Sequence, residues 1–236
     1  MNGHELIPLL GKLWFVANII TIAGIVGLIW VGKCLSGSRR QTFTYVLGAL
    51  IILRAIVIHP YQLMNGTWSV QYSVPIQLCG MSAIIAGIVM FYRPQWLFEI
   101  LFYWGIPGAF HSLMTPEFTL GTSGWFLYDY YLEHGGIWLG AFYLIFVYGM
   151  KPHPGSWWKV FLYSQALVVV VAAFNYIFDA NYMYLCQPPI VENPFIIGPW
   201  PWYILGIELA GLLHFIIIYL PFGWQYRKQA ATSATV

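Results

Sequence analysis

The chain has 236 residues, of which 60% are hydrophobic and 19% aromatic, and only 8% are charged. That is too little charge to solvate the surface of a water-soluble domain, so the composition specifies a polytopic membrane protein. The formal net charge of +2 comes from scattered groups. No basic run is interleaved with aromatics, which speaks against a nucleic-acid partner.

A bilayer core of about 30 Å needs roughly 20 apolar residues per helix. Seven stretches answer to this: Leu9 to Val31, Phe43 to Leu63, Pro75 to Tyr92, Gln95 to Met114, Tyr128 to Met150, Trp157 to Phe178 and Trp202 to Leu220. The third and fourth are separated only by Arg93-Pro94. The fold class expected is all-α, with seven transmembrane helices in a single domain over residues 1–236. Lys12 precedes a long apolar run without a small-residue cleavage site, so the N-terminal segment reads as a retained helix.

Cytoplasmic loops are enriched in Lys and Arg. Alternate loops carry Lys33, Arg39 and Arg40, then Arg93, then Lys151 and Lys159, then Arg227 and Lys228, which makes eight of the ten basic residues. The opposite side holds Glu5, Glu117, Asp129 and Glu192, and Lys12 breaks the pattern. The expected orientation is N-terminus outside and C-terminus cytoplasmic. The aromatic Pro199-Trp-Pro-Trp-Tyr203 suits an outer interfacial belt. The proline-rich stretch from Asp179 to Pro201 is expected to be non-helical, either a cap over the helix mouths or an ordered connector.

Ionisable side chains inside spans cost about 2.5 to 3.5 kcal/mol each, so each one is a candidate functional residue. At about 1.5 Å per residue from the outer ends, Cys79 lies about 6 Å deep, His111 about 5 Å, His134 and Glu208 about 9 Å, and Arg54 about 13 Å, with His59 above it. Five helices thus contribute polar groups to one outer slab. Glu99, toward the inner face near Arg93, reads as structural. His214, near mid-membrane, reads as a neutral imidazole bonded to a neighbouring helix.

Three cysteines, Cys34, Cys79 and Cys186, lack C-x-x-C spacing. A lone Cys79 is usually a packed small hydrophobe, but a histidine at matching depth can turn a thiol into a nucleophile. His134 is that histidine. Gly135-Gly136 beside it would either let a substrate approach the ring or permit tight helix packing. Arg54 calls for an anion, with Glu208 as the structural partner and a lipid phosphate as the functional one. His111 fits either a binding role or a satisfied helix end.

Several motifs, in order, carry a family resemblance: Gln77-Leu-Cys-Gly-Met-Ser82, Phe102-Tyr-Trp-Gly105, Leu113-Met-Thr-Pro116, Glu133-His-Gly-Gly136, Lys151-Pro-His-Pro-Gly155, Asn181-Tyr-Met-Tyr184 and Gly198-Pro-Trp-Pro-Trp-Tyr203. Through them the chain resembles the YwaF-type bacterial integral membrane proteins. That family is similar to a eukaryotic membrane acyltransferase that makes polyunsaturated ether phospholipids with a Cys and a His. It is more distantly similar to the androgen-induced lipid hydrolases, which use Thr and His. The resemblance implies a bacterial cell-membrane protein acting on a membrane phospholipid or lysolipid, with Cys79 as nucleophile, His134 as base and no cofactor. Gln77 and Gly80 stand where bacterial relatives often carry the His and Asp of a His-Leu-Cys-Asp motif.

The expected activity is lipid acyl transfer or acyl-ester hydrolysis near the outer leaflet. Arg54, His59, His111 and Glu208 are the expected substrate-binding groups, with Gln77, Asn181 or Tyr182 as oxyanion donors. One rival is a zinc hydrolase using His59, His111 and His134, although these lie on separate helices without HExxH-like spacing. Another is a non-enzymatic transporter, receptor or lipid-binding protein; the stretch Trp202 to Leu220 has no lysine for a retinal Schiff base and no inverted repeat is visible. A Cys79 to Cys186 disulfide would end the nucleophile reading.

Overall fold

The computed structural model describes residues 5–189 and 194–234. Its helices are α1 (Lys12–Cys34), α2 (Gly37–Met64), α3 (Leu78–Phe91), α4 (Gln95–Ile100), α5 (Ile106–Met114), α6 (Trp125–Tyr148), α7 (Ser156–Phe178) and α8 (Trp202–Ala234). A π turn, Leu101–Gly105, joins α4 to α5 into one rod, so the eight segments make seven helices. Pro107 accounts for the widened turn: it has no N–H to offer the carbonyl four residues back, and its ring would crowd that carbonyl.

The seven apolar stretches correspond one to one with these helices, with shifted ends. Helix α2 starts at Gly37 rather than Phe43 because Arg40 wraps back over the end of α1. Its Nε donates to the Gly32 carbonyl at 3.1 Å and the Leu35 carbonyl at 2.8 Å, serving carbonyls that the end of α1 leaves open. Helix α3 starts at Leu78 rather than Pro75 and has only 14 residues. The preceding strap is fixed from outside: Tyr182 Oη accepts from the Val74 N–H at 2.9 Å and donates to the Val70 carbonyl at 2.8 Å. One feature was absent from the expected architecture, a two-residue antiparallel pairing of β1 (Glu5–Leu6) with β2 (Glu117–Phe118).

Helices α1, α2, α7 and α8 are long and apolar enough by length and composition to cross a membrane. They leave apolar faces open, for example Ile19, Ile20 and Trp30 on α1 and Val169 and Val170 on α7. The α4–α5 rod, α3 and α6 form the interior, with Ala86, Val89, Phe98, Leu101, Tyr103, Ile137 and Ala141 in one buried cluster. Small residues set the spacing. A Cβ on Gly48 of α2 would lie 2.6 Å from Met90 Cβ and 2.9 Å from the Gly87 carbonyl oxygen, so α2 and α3 cross nearly backbone to backbone.

At the opposite end from the site described below, Glu99 is buried and its Oε1 accepts from the His153 backbone N–H at 2.8 Å and from Gln95 Nε2 at 2.9 Å, with His153 Nδ1 at 3.0 Å. The structural role expected for Glu99 holds, but through His153; Arg93 instead stacks its guanidinium over Tyr148 at 4.4 Å.

The crossing of α2 and α3 gives a direct test. Gly48→Leu should lower stability by about 1–3 kcal/mol through overpacking, whereas Gly24→Ala, whose Cβ would meet nothing within 4 Å, should leave the thermal unfolding midpoint in detergent unchanged.

Candidate functional site

A cavity of about 710 Å³ opens among α2, α3, α5, α6, α7, α8 and the loops at one end of the bundle. Seven of the expected site residues line it: Cys79, His134, Arg54, His59, Gln77, His111 and Glu208. The polar slab inferred from helix depth is thus one cavity. The segment after α7 helps wall it through Met183, Tyr184 and Leu185. Glu192, expected on the outer side, lies outside the described residues.

On α6, Asp129 and Glu133 are one helical turn apart and face the same way. Arg54 on α2 lies against both. Its Nε donates to Asp129 Oδ1 at 2.7 Å and its Nη2 to Glu133 Oε2 at 2.6 Å, with a further Nη2 bond to Asp129 Oδ2. This corrects one expectation: Glu208 is not the partner of Arg54. Glu208 instead accepts from Gln165 Nε2 at 2.6 Å. The i, i+4 carboxylates were the signal in the sequence that α6 needed a buried cation.

His134 is buried on the same helix. Its Nδ1 lies 2.7 Å from the Tyr130 carbonyl oxygen, which can only accept, so Nδ1 carries the proton and the neutral ring keeps its lone pair on Nε2. Among the described residues Nε2 makes no hydrogen bond. Gly135 and Gly136 do not line the cavity; a Cβ on Gly135 would meet Thr21 Cγ2 at 2.8 Å, so these glycines serve packing against α1 and α2.

Cys79 is the second residue of α3, on its first turn. The amides of Leu78, Cys79 and Gly80 have no carbonyl four residues back within the helix, and no side chain caps them. Gly80 fits because Pro75 leans on it: a Cβ there would be 3.1 Å from Pro75 Cα. The thiol lies 3.8 Å from Ser112 Oγ, which donates to the Gly108 carbonyl at 3.1 Å. Cys79 and His134 are not hydrogen-bonded to each other. Tyr130 spans the gap between them, with its ring 4.3 Å from the imidazole and its hydroxyl donating to the Ser112 carbonyl at 2.9 Å.

The remaining polar groups divide clearly. Gln77 Oε1 accepts from the Met183 N–H at 3.1 Å, which leaves its Nε2 donors uncommitted. His59 Nδ1 accepts from Trp68 Nε1 at 3.3 Å. His111 and His214 meet Nε2 to Nε2 at 3.0 Å, and His214 Nδ1 donates to the Ala210 carbonyl at 2.6 Å, so in the neutral pair His111 is the donor. His214 therefore has the interhelical bond expected of it. Asn181 and Tyr182 do not line the cavity. Asn181 Oδ1 caps the Cys186 and Gln187 amides, and Tyr182 braces the strap before α3. Outside the helices, burial and then the nearby Glu117 carboxylate push the Tyr184 phenol up.

No three His, Cys, Asp or Glu side chains converge as a metal set among the described residues. The three histidines of the zinc alternative are engaged with Trp68, His214 and the Tyr130 carbonyl. Cys79 and Cys186 are both free thiols, so no disulfide joins them.

Removing Arg54 alone would leave two carboxylates facing each other in a buried site. Arg54→Met should cost about 3–5 kcal/mol, and adding Asp129→Asn and Glu133→Gln should restore most of it. Thermal unfolding of the single and triple variants in the same detergent measures the difference.

Comparison with known proteins returns one family model, described as the TMEM164 family, over residues 9–219. No curated protein and no solved structure matches the chain. The matched stretch includes every helix up to Tyr219 of α8 and all seven cavity-lining residues named above. With its apolar helices and a family match over most of its length, the chain is an integral membrane protein that belongs to the TMEM164 family.

Proposed function

We propose that the protein is a membrane-embedded acyl-transfer enzyme that takes an acyl chain from a lipid ester onto Cys79 and passes it to water or to the hydroxyl of a lysolipid. The observation that carries this is the pairing, within one cavity, of a thiol at an uncapped helix start with an imidazole whose Nε2 lone pair is unengaged. The family match and the resemblance to the ether-phospholipid acyltransferase support the same chemistry. All seven helices cross the bilayer as a single domain in this reading, with the N-terminus outside, the cavity at the outer leaflet and the bacterial cell membrane as host.

His134 Nε2 takes the thiol proton as Sγ attacks the ester carbonyl carbon. The carbonyl oxygen gathers negative charge, and the Cys79 amide with Gln77 Nε2 are donors suited to receive it. The ester C–O bond then breaks, and the departing alkoxide takes the proton back from the His134 imidazolium. In the second half, water or a lysolipid hydroxyl gives its proton to His134 and attacks the thioester carbonyl. The thiolate leaves and is reprotonated. Cys79 and His134 do not hydrogen-bond to each other directly, and hydrogen bonds of this kind commonly tighten only in the substrate complex.

Arg54 is not a free phosphate ligand in this scheme, because its Nε and Nη2 are committed to Asp129 and Glu133. Its part is to fix the face of α6 that carries His134.

In vesicles of phosphatidylcholine with an isotopically labelled acyl chain, Cys79→Ala should lower acyl release or transfer at least about 10³-fold and His134→Ala about 10²- to 10⁴-fold. Full turnover by folded Cys79→Ala protein would contradict the covalent route and leave a lipid-binding role.

A further inference from the structure

The cavity has two chemically distinct sides, with α3 and α5 between them. On one side α2 and α6 contribute Arg54, Asp129, Glu133 and His134; on the other, α7 and α8 contribute Phe161, Val168, Ile207, Gly211 and Phe215. Cys79, Gly108 and Ser112 sit between the two, and a Cβ on Gly108 would meet only the Cys79 sulfur, at 3.3 Å. The thiol is therefore next to bare helix surface.

The α7–α8 side is apolar except at Ser164 and Glu208. Ser164 Oγ accepts from Trp104 Nε1 at 2.8 Å and donates to the Val160 carbonyl at 2.9 Å, and Glu208 Oε2 accepts from Gln165 Nε2 at 2.6 Å. The lining positions follow helical spacing. Ile204, Ile207, Gly211 and Phe215 share one face of α8 over about 16 Å, and Phe161, Ser164 and Val168 share one face of α7. The deep end is closed where Phe215 packs against Tyr103, ring centroids 5.1 Å apart, within the core cluster that Phe161 also joins.

Gly211 is the unusual residue here. A glycine inside a helix costs about 1 kcal/mol relative to alanine and in membrane helices commonly marks a close helix approach. Gly48, Gly87 and Gly140 do so in this fold, each with a virtual Cβ within 3 Å of a neighbour. A Cβ on Gly211 would meet nothing within 4 Å. The missing side chain leaves cavity volume that no group among the described residues fills.

We propose that the α7–α8 arm is the acyl-chain subsite, entered from the thiol, and that Gly211 sets the length of chain it admits. This rests on the acyl-transfer reading above and adds its specificity determinant. A chain lying along the arm places its ester carbonyl toward Cys79 and its methyl end toward Phe161 and Phe215. The occupant is a single saturated or unsaturated hydrocarbon chain; the charged side of the cavity is left for the rest of the lipid.

The test uses the full-length protein in vesicles doped with phosphatidylcholine whose acyl chain ends in a diazirine. Irradiation, read residue by residue through fragmentation of the labelled peptides, should place the label on the cavity-lining Phe161, Val168, Ile207 and Phe215, and Gly211→Leu should remove it. The same variant should shift the long-to-short chain turnover ratio by about tenfold or more toward short chains. Val168→Phe narrows the arm from the opposite helix and gives the same readout should Gly211→Leu not fold. Label confined to α2 and α6 or to bilayer-facing residues such as Leu209 and Leu213, no label at all, or label and chain preference unmoved by both variants, overturns the proposal. Photolabelling does not need turnover, so the two readings fail separately. An arm that labels in Cys79→Ala protein with undiminished turnover overturns the reaction and keeps the subsite, and loss of turnover in Cys79→Ala with no label in the arm overturns the subsite alone.

Discussion

Two carboxylates one turn apart on α6 can occupy the interior of this bundle only because a single guanidinium lies against both. Asp129 and Glu133 set two carboxyl groups against the one guanidinium of Arg54, in surroundings where unpaired charge is very costly. The clasp consequently fixes the rotation of α6 relative to α2. His134, next in sequence after Glu133, inherits that rotation, and its ring is further held by the Tyr130 carbonyl and the Tyr130 ring. The imidazole is thus placed by a network that makes no use of its Nε2, which stays available for chemistry.

The thiol is placed by a different device. Helix α3 is short, and its first turn begins where an extended strap ends. That strap is held from the outer loop through Tyr182 and through Gln77, so the beginning of α3 is set by contacts about 100 residues away in sequence. A longer helix starting at Pro75 would have buried Cys79 among paired amides. Starting at Leu78 instead gives the sulfur unpaired N–H groups as neighbours. Gly80 belongs to this arrangement, because any side chain there would push against Pro75.

The seven helices and the shared depth of their polar residues were legible in the sequence because apolar run length and rise per residue are local properties. Pairing across helices was not. Arg54 was matched with Glu208, whereas the choice between carboxylates depends on which faces meet; the i, i+4 spacing of Asp129 and Glu133 within the stretch Tyr128 to Met150 was the clue that pointed to α6. Of the two readings open for Gly135-Gly136, substrate approach or tight helix packing, the structure bears out packing: glycines on successive positions point to different sides, and these point to α1 and α2. Asn181 and Tyr182 were singled out as donors from a motif, and the structure uses them to shape the loop that holds Cys79 in place.

The proposed chemistry needs a sulfur and a histidine that line one cavity from different helices, with Tyr130 against the imidazole and Ser112 beside the thiol. Intact-mass spectrometry after brief incubation with phosphatidylcholine, quenched in acid, tests this most directly. The account predicts a mass increase of one acyl group, removable by neutral hydroxylamine as a thioester is, mapped to the peptide containing Cys79 and absent from Cys79→Ala protein. An acyl adduct on another residue, or acyl turnover with no adduct on Cys79 at any time, would contradict it.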